Sequence, residues 1–61
     1  MTEETPTILI VDDDLDIVEF IAMGLEVEGF NPIKAYNGTE ALKILETTIP
    51  DLILLDIMMP D

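Results

Sequence analysis

Residues 52 to 56 read Leu52-Ile53-Leu54-Leu55-Asp56, four apolar positions in a row followed by an acid. A second run of this kind, Ile8-Leu9-Ile10-Val11, ends on Asp12-Asp13-Asp14. Short continuous apolar runs are typical of strands covered on both faces, as in a parallel sheet. The carboxyl ends of parallel strands lie at one edge, which is where open α/β sheets bind their ligands. The two runs therefore predict an acidic cluster at that edge.

The segment after the first acidic run predicts a helix over residues 15–28. Asp14 is a candidate N-cap, because a short acidic side chain accepts hydrogen bonds from the first helical turn. Gly29 tolerates the left-handed conformation that commonly ends a helix. The residues expected to cover the sheet are Ile17, Phe20, Ile21, Gly24 and Leu25. A second apolar set indicates either another contact surface or ordinary exposed residues: Val18, Ala22, Met23 and Val27.

The central part of the chain predicts a second strand and a second helix. The strand covers residues 31–36, and Pro32 favours an edge position because proline cannot donate a hydrogen bond to a neighbouring strand. Asn37-Gly38-Thr39 is a turn with a candidate N-cap, and a helix from Glu40 to Thr47 or Thr48 follows. Its expected apolar face consists of Ala41, Leu42, Ile44 and Leu45.

The predicted order of elements is βαβαβ, after a polar lead-in over residues 1–6. Right-handed crossovers predict an α/β fold in which a parallel sheet with strand order 2-1-3 carries one helix on each face. This is half of a doubly wound sheet, and its apolar third strand forms an open edge. A 61-residue domain without cysteine lacks disulfides to support a small core. We therefore expect a homodimer formed through the third strand and apolar helix faces.

Charge excludes several classes of partner. Fourteen acids oppose only Lys34 and Lys43, for a formal net charge of −12. Without a basic patch, direct binding to nucleic acid or to an anionic membrane surface is not expected. Residues 1–6 lack the basic and apolar regions of a signal peptide, and no stretch is apolar for long enough to span a bilayer. A soluble cytoplasmic protein is the expectation.

The predicted acidic cluster needs a compensating cation. Its candidate ligands are all oxygen atoms, and oxygen ligands suit Mg²⁺ or a similar hard ion. The carboxylates come from Asp12, Asp13 and Asp14 after the first strand and from Asp56 after the third.

Four segments resemble the N-terminal half of a response-regulator receiver domain, the phosphoacceptor module of two-component signalling. Together they span nearly the whole chain from Thr7 onward, as residues 7–61 of a half-length domain. They are Ile8-Leu9-Ile10-Val11-Asp12-Asp13-Asp14, Glu28-Gly29-Phe30, Asn37-Gly38-Thr39-Glu40-Ala41-Leu42 and Pro50-Asp51-Leu52-Ile53-Leu54-Leu55-Asp56-Ile57-Met58-Met59-Pro60-Asp61.

The resemblance implies that Asp56 accepts a phosphoryl group. It also implies that Asp12 and Asp13 help to hold Mg²⁺ beside Asp56, with the backbone carbonyl of Met58 as a further ligand. The expected partner is a sensor histidine kinase or a phosphotransfer protein. A carboxylate that attacks a phosphoryl group needs a metal to offset the combined negative charge. Any enzymatic activity would be limited to self-phosphorylation on Asp56.

The chain departs from the family pattern in its missing second half. Receiver domains carry a Ser or Thr on the fourth strand and a Lys on the fifth, and both contact the phosphoryl group. Lys34 and Lys43 fall instead on the second strand and second helix. Weakened phosphoryl chemistry is therefore expected, and the stop at Asp61 resembles a truncation. The alternative is a structural half-fold that forms a homodimer and retains an inactive acidic site.

Overall fold

The protein, described here by a computed structural model over residues 5–55, is built around a three-stranded parallel sheet. The strand order is β2-β1-β3, so the predicted 2-1-3 arrangement of an α/β fold is confirmed. The elements are β1 (Thr7–Val11), α1 (Leu15–Val27), β2 (Asn31–Ala35), α2 (Gly38–Thr47) and β3 (Leu52–Leu55).

The central strand β1 sets the register of the sheet. Val11, its last residue, lies opposite Ala35 of β2 and Leu55 of β3. All three strands therefore end at the same level. Asp12 and Tyr36, which follow β1 and β2, therefore lie at one edge of the sheet.

One helix covers each face of the sheet, as predicted. Alternate residues of a strand point to opposite faces, and β1 is buried on both. Leu9 and Val11 pack with Ala35 and with Ala41 of α2. On the other face, Ile10 packs with the buried pair of α1, Val18 and Ala22.

The buried face of α1 differs from the predicted one. Phe20 is 78% exposed and Ile17 is exposed as well. Val18 and Ala22 are buried instead, with Ile21 and Leu25 partly buried beside them. Ile21 and Leu25 contact the core as predicted, whereas the other predicted residues are exposed: Ile17, Phe20 and Gly24. Spacing alone does not choose a side, because α1 is apolar around most of its circumference. The small Ala22 lies against the sheet, while the bulky Phe20 remains outside.

Both ends of α1 follow local sequence signals. Asp14 is the N-cap: its side chain accepts hydrogen bonds from the backbone N–H groups of Asp16 (3.0 Å) and Ile17 (3.3 Å). At the other end Gly29 adopts a positive φ of 92°. The Phe30 N–H bonds the Leu25 carbonyl at 2.9 Å, which completes a Schellman-type cap. Both predictions for the helix termini are confirmed.

The second helix, α2, begins two residues before its predicted start. Asn37 is the N-cap, since its Oδ1 accepts a hydrogen bond from the Glu40 N–H at 2.8 Å. Ala41 is buried and Ile44 is partly buried, whereas Leu42 is 67% exposed and does not form part of the core. Within residues 5–55, neither helix is long and apolar enough to cross a membrane.

Candidate functional site

Asp12 lies directly after β1 and is the one buried polar or charged residue in the described part of the chain, at 6% exposure. Its backbone N–H donates to the Ala35 carbonyl of β2 at 3.2 Å. Its carboxylate Oδ1 accepts a hydrogen bond from the Asp14 N–H at 2.9 Å. Backbone and side chain are thus held from two directions, which fixes the carboxylate at the carboxyl edge of the sheet.

The other acids of this loop differ in their roles. Asp13 is exposed, and it lines an open hollow together with Asp14 and Asp16. The Asp14 carboxylate caps the N-terminus of α1. Asp12 and Asp13 therefore remain as the two candidate metal ligands among the described residues.

The third strand leads to the remaining candidate residues. Leu55 of β3 pairs with Val11 of β1, the residue just before Asp12. Asp56 is the next residue in the sequence. Asp56 and Met58, the predicted phosphoacceptor and carbonyl ligand, lie outside the described residues.

The donor chemistry at this edge fits Mg²⁺. Within residues 5–55 no group of three or more His, Cys, Asp or Glu residues could hold a metal ion. Mg²⁺ does not require such a cage, because proteins usually bind it through one or two carboxylates while it keeps several waters. Asp12 and Asp13 supply hard oxygen donors of this kind. A cation bound by them would offset the negative charge of this acidic edge.

An apolar cleft of about 310 Å³ adjoins Asp12. It opens between α1 and the sheet because α1 packs against β1 and β2 and leaves β3 uncovered. The sequence contains no signal for this cleft, since it depends on where the helix lies across the strands. Its walls are Ile10, Val11, Asp12, Ile17, Ile21, Leu54 and Leu55.

A polar network on the same face of the sheet joins α1 to β2. Lys34 Nζ lies 3.0 Å from Glu19 Oε1 and 3.1 Å from Oε2, and the Tyr36 hydroxyl donates to Glu19 Oε2 at 3.2 Å. The hydrogen bond from Lys34, followed by that from Tyr36, lowers the pKa of Glu19 below its ordinary 4.5. The same bond raises the pKa of Lys34 above 10.5. Desolvation, together with its bond to Glu19, raises the pKa of Tyr36.

The two lysines lie where the sequence placed them. Lys34 is on β2, engaged with Glu19, and Lys43 is on α2. In the described residues, the carboxyl edge therefore carries acids without a neighbouring lysine from a strand terminus.

Several curated bacterial regulators are similar to this chain. Transcriptional regulatory protein CpxR of Escherichia coli (strain K12) is 51% identical over 53 residues, which cover 87% of this chain and 22% of CpxR. The alkaline phosphatase synthesis transcriptional regulatory protein PhoP of Bacillus subtilis (strain 168) matches to the same extent. Transcriptional regulatory protein PrrA of Mycobacterium leprae (strain TN) is 45% identical over 56 residues, or 92% of this chain and 24% of PrrA. The chain thus spans less than a quarter of the length of these relatives.

A solved structure gives the same result at the level of the fold. The receiver domain of the Francisella response regulator 1452 matches with a TM-score of 0.84 and 39% sequence identity. The match covers 92% of this chain and 46% of that one, so the chain corresponds to about half of a receiver domain. The sequence model of the family described as the response regulator receiver domain matches residues 8–61. The chain therefore belongs to the response regulator receiver domain family.

Proposed function

We propose that this chain is a phosphoacceptor module of two-component signalling. In this proposal Asp56 receives the phosphoryl group, and Asp12, Asp13, Asp56 and the Met58 carbonyl hold Mg²⁺. The observation that carries the proposal is the burial of Asp12 at the end of β1. A buried carboxylate is costly unless it is paired or binds a metal, and that of Asp12 has one hydrogen bond, from the Asp14 N–H. Asp12 directly follows Val11, which pairs with Leu55, the residue before Asp56 in the sequence.

The reaction transfers a phosphoryl group from a donor to the Asp56 carboxylate. A carboxylate oxygen of Asp56 attacks the phosphorus atom, and the bond from phosphorus to the donor group breaks as the new P–O bond forms. The departing group keeps the electron pair of that bond. Because the protein mainly positions the groups and supplies electrostatics in such transfers, the fixed orientation of Asp12 is its main contribution within the described residues.

The donor is proposed to be a sensor histidine kinase or a phosphotransfer protein that docks on an exposed stripe of α1. The stripe consists of Phe20, Met23 and Val27, spaced by three and four residues on one side of the helix, with Phe20 78% and Val27 83% exposed. α1 starts directly after the acidic loop, so a partner seated on the stripe would approach the site from its Phe20 end. The curated relatives are named as transcriptional regulatory proteins, which supports a cytoplasmic location.

Self-association through β3 is a second, structural proposal. Leu52, Ile53 and Leu55 are all exposed, and β3 lies at one edge of the described sheet. The apolar cleft between α1 and β3 continues this surface. Exposed apolar sheet edges favour pairing with another chain.

The comparisons add no support for the alternative in which the acidic site is inactive.

The test of the main proposal is the intact mass of the protein after incubation with Mg²⁺ and a small-molecule phosphodonor. We expect a gain of one phosphoryl group in the wild type and none in Asp56→Ala. A variant of an exposed acid in the last turn of α2, far from the proposed site, Glu46→Gln, is the matched control and should still gain the group. A gain that persists in Asp56→Ala, or no gain in folded wild-type protein, would contradict the proposal.

A further inference from the structure

The end of β2 supports Asp12 from outside its own loop. Ala35 is the last residue of β2 and is fully buried. Its carbonyl accepts the Asp12 N–H at 3.2 Å, which is a tie between the first residue beyond β1 and the neighbouring strand. The position of the Asp12 backbone therefore depends on where the chain leaves β2.

Glu40 fixes that exit from β2. Its carboxylate Oε1 accepts the Tyr36 N–H at 2.8 Å, one residue beyond Ala35. Its own backbone N–H donates at 2.8 Å to the side chain of Asn37, the N-cap of α2. The pair resembles a capping box, in which the third helical residue reaches back to the N-cap. Here the glutamate reaches one residue further back, to the segment that carries Ala35.

Tyr36 lies one residue beyond β2, and its N–H bonds Glu40 rather than a neighbouring strand. β2 is an edge strand of the described sheet, so no further described strand offers a carbonyl on its outer side. The Tyr36 side chain is held separately, by its bond to Glu19 of α1. The segment between β2 and α2 is thus hydrogen-bonded to both helices, and Glu40 of α2 is the residue that bonds its backbone.

We propose that Glu40 is a positioning residue for the Asp12 carboxylate, acting through the backbone of Tyr36 and Ala35. The inference rests on the proposed function, because the positioned carboxylate matters as a ligand of Mg²⁺. Ligands function at precise geometries, and groups that orient them affect metal affinity without touching the metal.

The test compares three variants of the protein by their Mg²⁺ dissociation constants, taken from titrations of the backbone amide NMR shifts of Asp12, Asp13 and Asp14. Glu40→Ala removes the acceptor for the Tyr36 N–H, and we expect Mg²⁺ binding to weaken roughly tenfold, the low end for loss of support behind a ligand. Glu40→Gln keeps an oxygen acceptor and should restore most of the affinity. Glu46→Ala removes the same charge from the exposed last turn of α2 and should bind as the wild type does.

A fourth variant separates positioning from a general loss of stability. Asp51 joins β1 and β3 at the opposite edge of the sheet, where its Oδ2 accepts the Thr7 N–H at 2.7 Å. Asp51→Ala should lower the thermal midpoint while leaving the Mg²⁺ affinity of the folded protein unchanged. Equal weakening in Asp51→Ala and Glu40→Ala, or unchanged affinity in Glu40→Ala, would overturn the inference. Absence of Mg²⁺ binding in the wild type would instead contradict the proposed metal site itself.

Discussion

Glu19 is the residue whose charge depends most clearly on its neighbours, because both Lys34 and Tyr36 donate to it. Its pKa is lowered, so its contribution to stability is present above its ordinary pKa of 4.5 and is lost as the pH falls through the lowered value. The pKa of Lys34 is raised, so its contribution is complete below 10.5 and is lost as the pH rises through the raised value. Between these limits the pair is intact. We expect Lys34→Gln to destabilise the protein slightly at neutral pH, as for an exposed ion pair.

The matched control at this scale is Lys43→Gln, which changes the net charge equally but removes a lysine that forms no ion pair within residues 5–55. Thermal midpoints of the two variants measure the difference. The midpoint of Lys34→Gln should lie below that of Lys43→Gln at neutral pH, and the gap should close well below pH 4.5, where Glu19 is protonated. Equal midpoints at neutral pH would show that the network contributes nothing.

At the scale of elements, α1 has a buried apolar side and an exposed apolar side. Val18 and Ala22 bind it to the sheet, while Phe20, Met23 and Val27 form the exposed stripe proposed to dock a phosphodonor protein. We expect Phe20→Ser to slow phosphorylation by a donor protein about tenfold, because truncating an aromatic anchor of an interface commonly costs more than 1 kcal/mol. Phosphorylation by a small-molecule donor should be unchanged, since Phe20 does not contribute to the acidic site.

Leu42→Ser is the control for this experiment, because Leu42 is a comparably exposed apolar residue on the other helix. It should leave both rates unaltered. If Phe20→Ser slows the small-molecule reaction as strongly as the protein reaction, the stripe supports the site rather than a partner. If neither rate changes, the donor docks elsewhere.

At the scale of the whole molecule, the net charge and the exposed strand β3 have opposite effects on self-association. The formal charge of −12 repels a second copy, whereas the apolar outer residues of β3 favour pairing. Salt screens the repulsion and leaves apolar burial intact. Sedimentation at micromolar concentration should therefore detect a dimer that strengthens with added salt. Leu52→Lys, which places a charge on the exposed strand, should shift the equilibrium to monomer. A well-folded wild-type monomer at all salt concentrations would contradict self-association.

The elements themselves could be predicted from the sequence because their signals are local. The two apolar runs form β1 and β3, and the helix α1 begins after Asp14 and ends before Gly29, as their side-chain and backbone chemistry predicts. Strand order followed from the handedness of crossovers. The roles of Asp12 and Asp13 were predicted by resemblance; the structure adds the burial of Asp12, while Asp56 remains a sequence prediction.

Properties that arise from packing could not be predicted in this way. The sequence of α1 is apolar on several sides, so only contact with Ile10 selected Val18 and Ala22 over Phe20. Likewise the bond from Tyr36 to Glu40 requires the turn after β2 to bring the two residues together. By itself the sequence determined the family, the order of elements and the acidic edge, because these depend on residue type and spacing. Only the tertiary structure decided which face of α1 is buried, where the cleft opens and what holds Asp12, because these depend on contacts between elements distant in the chain.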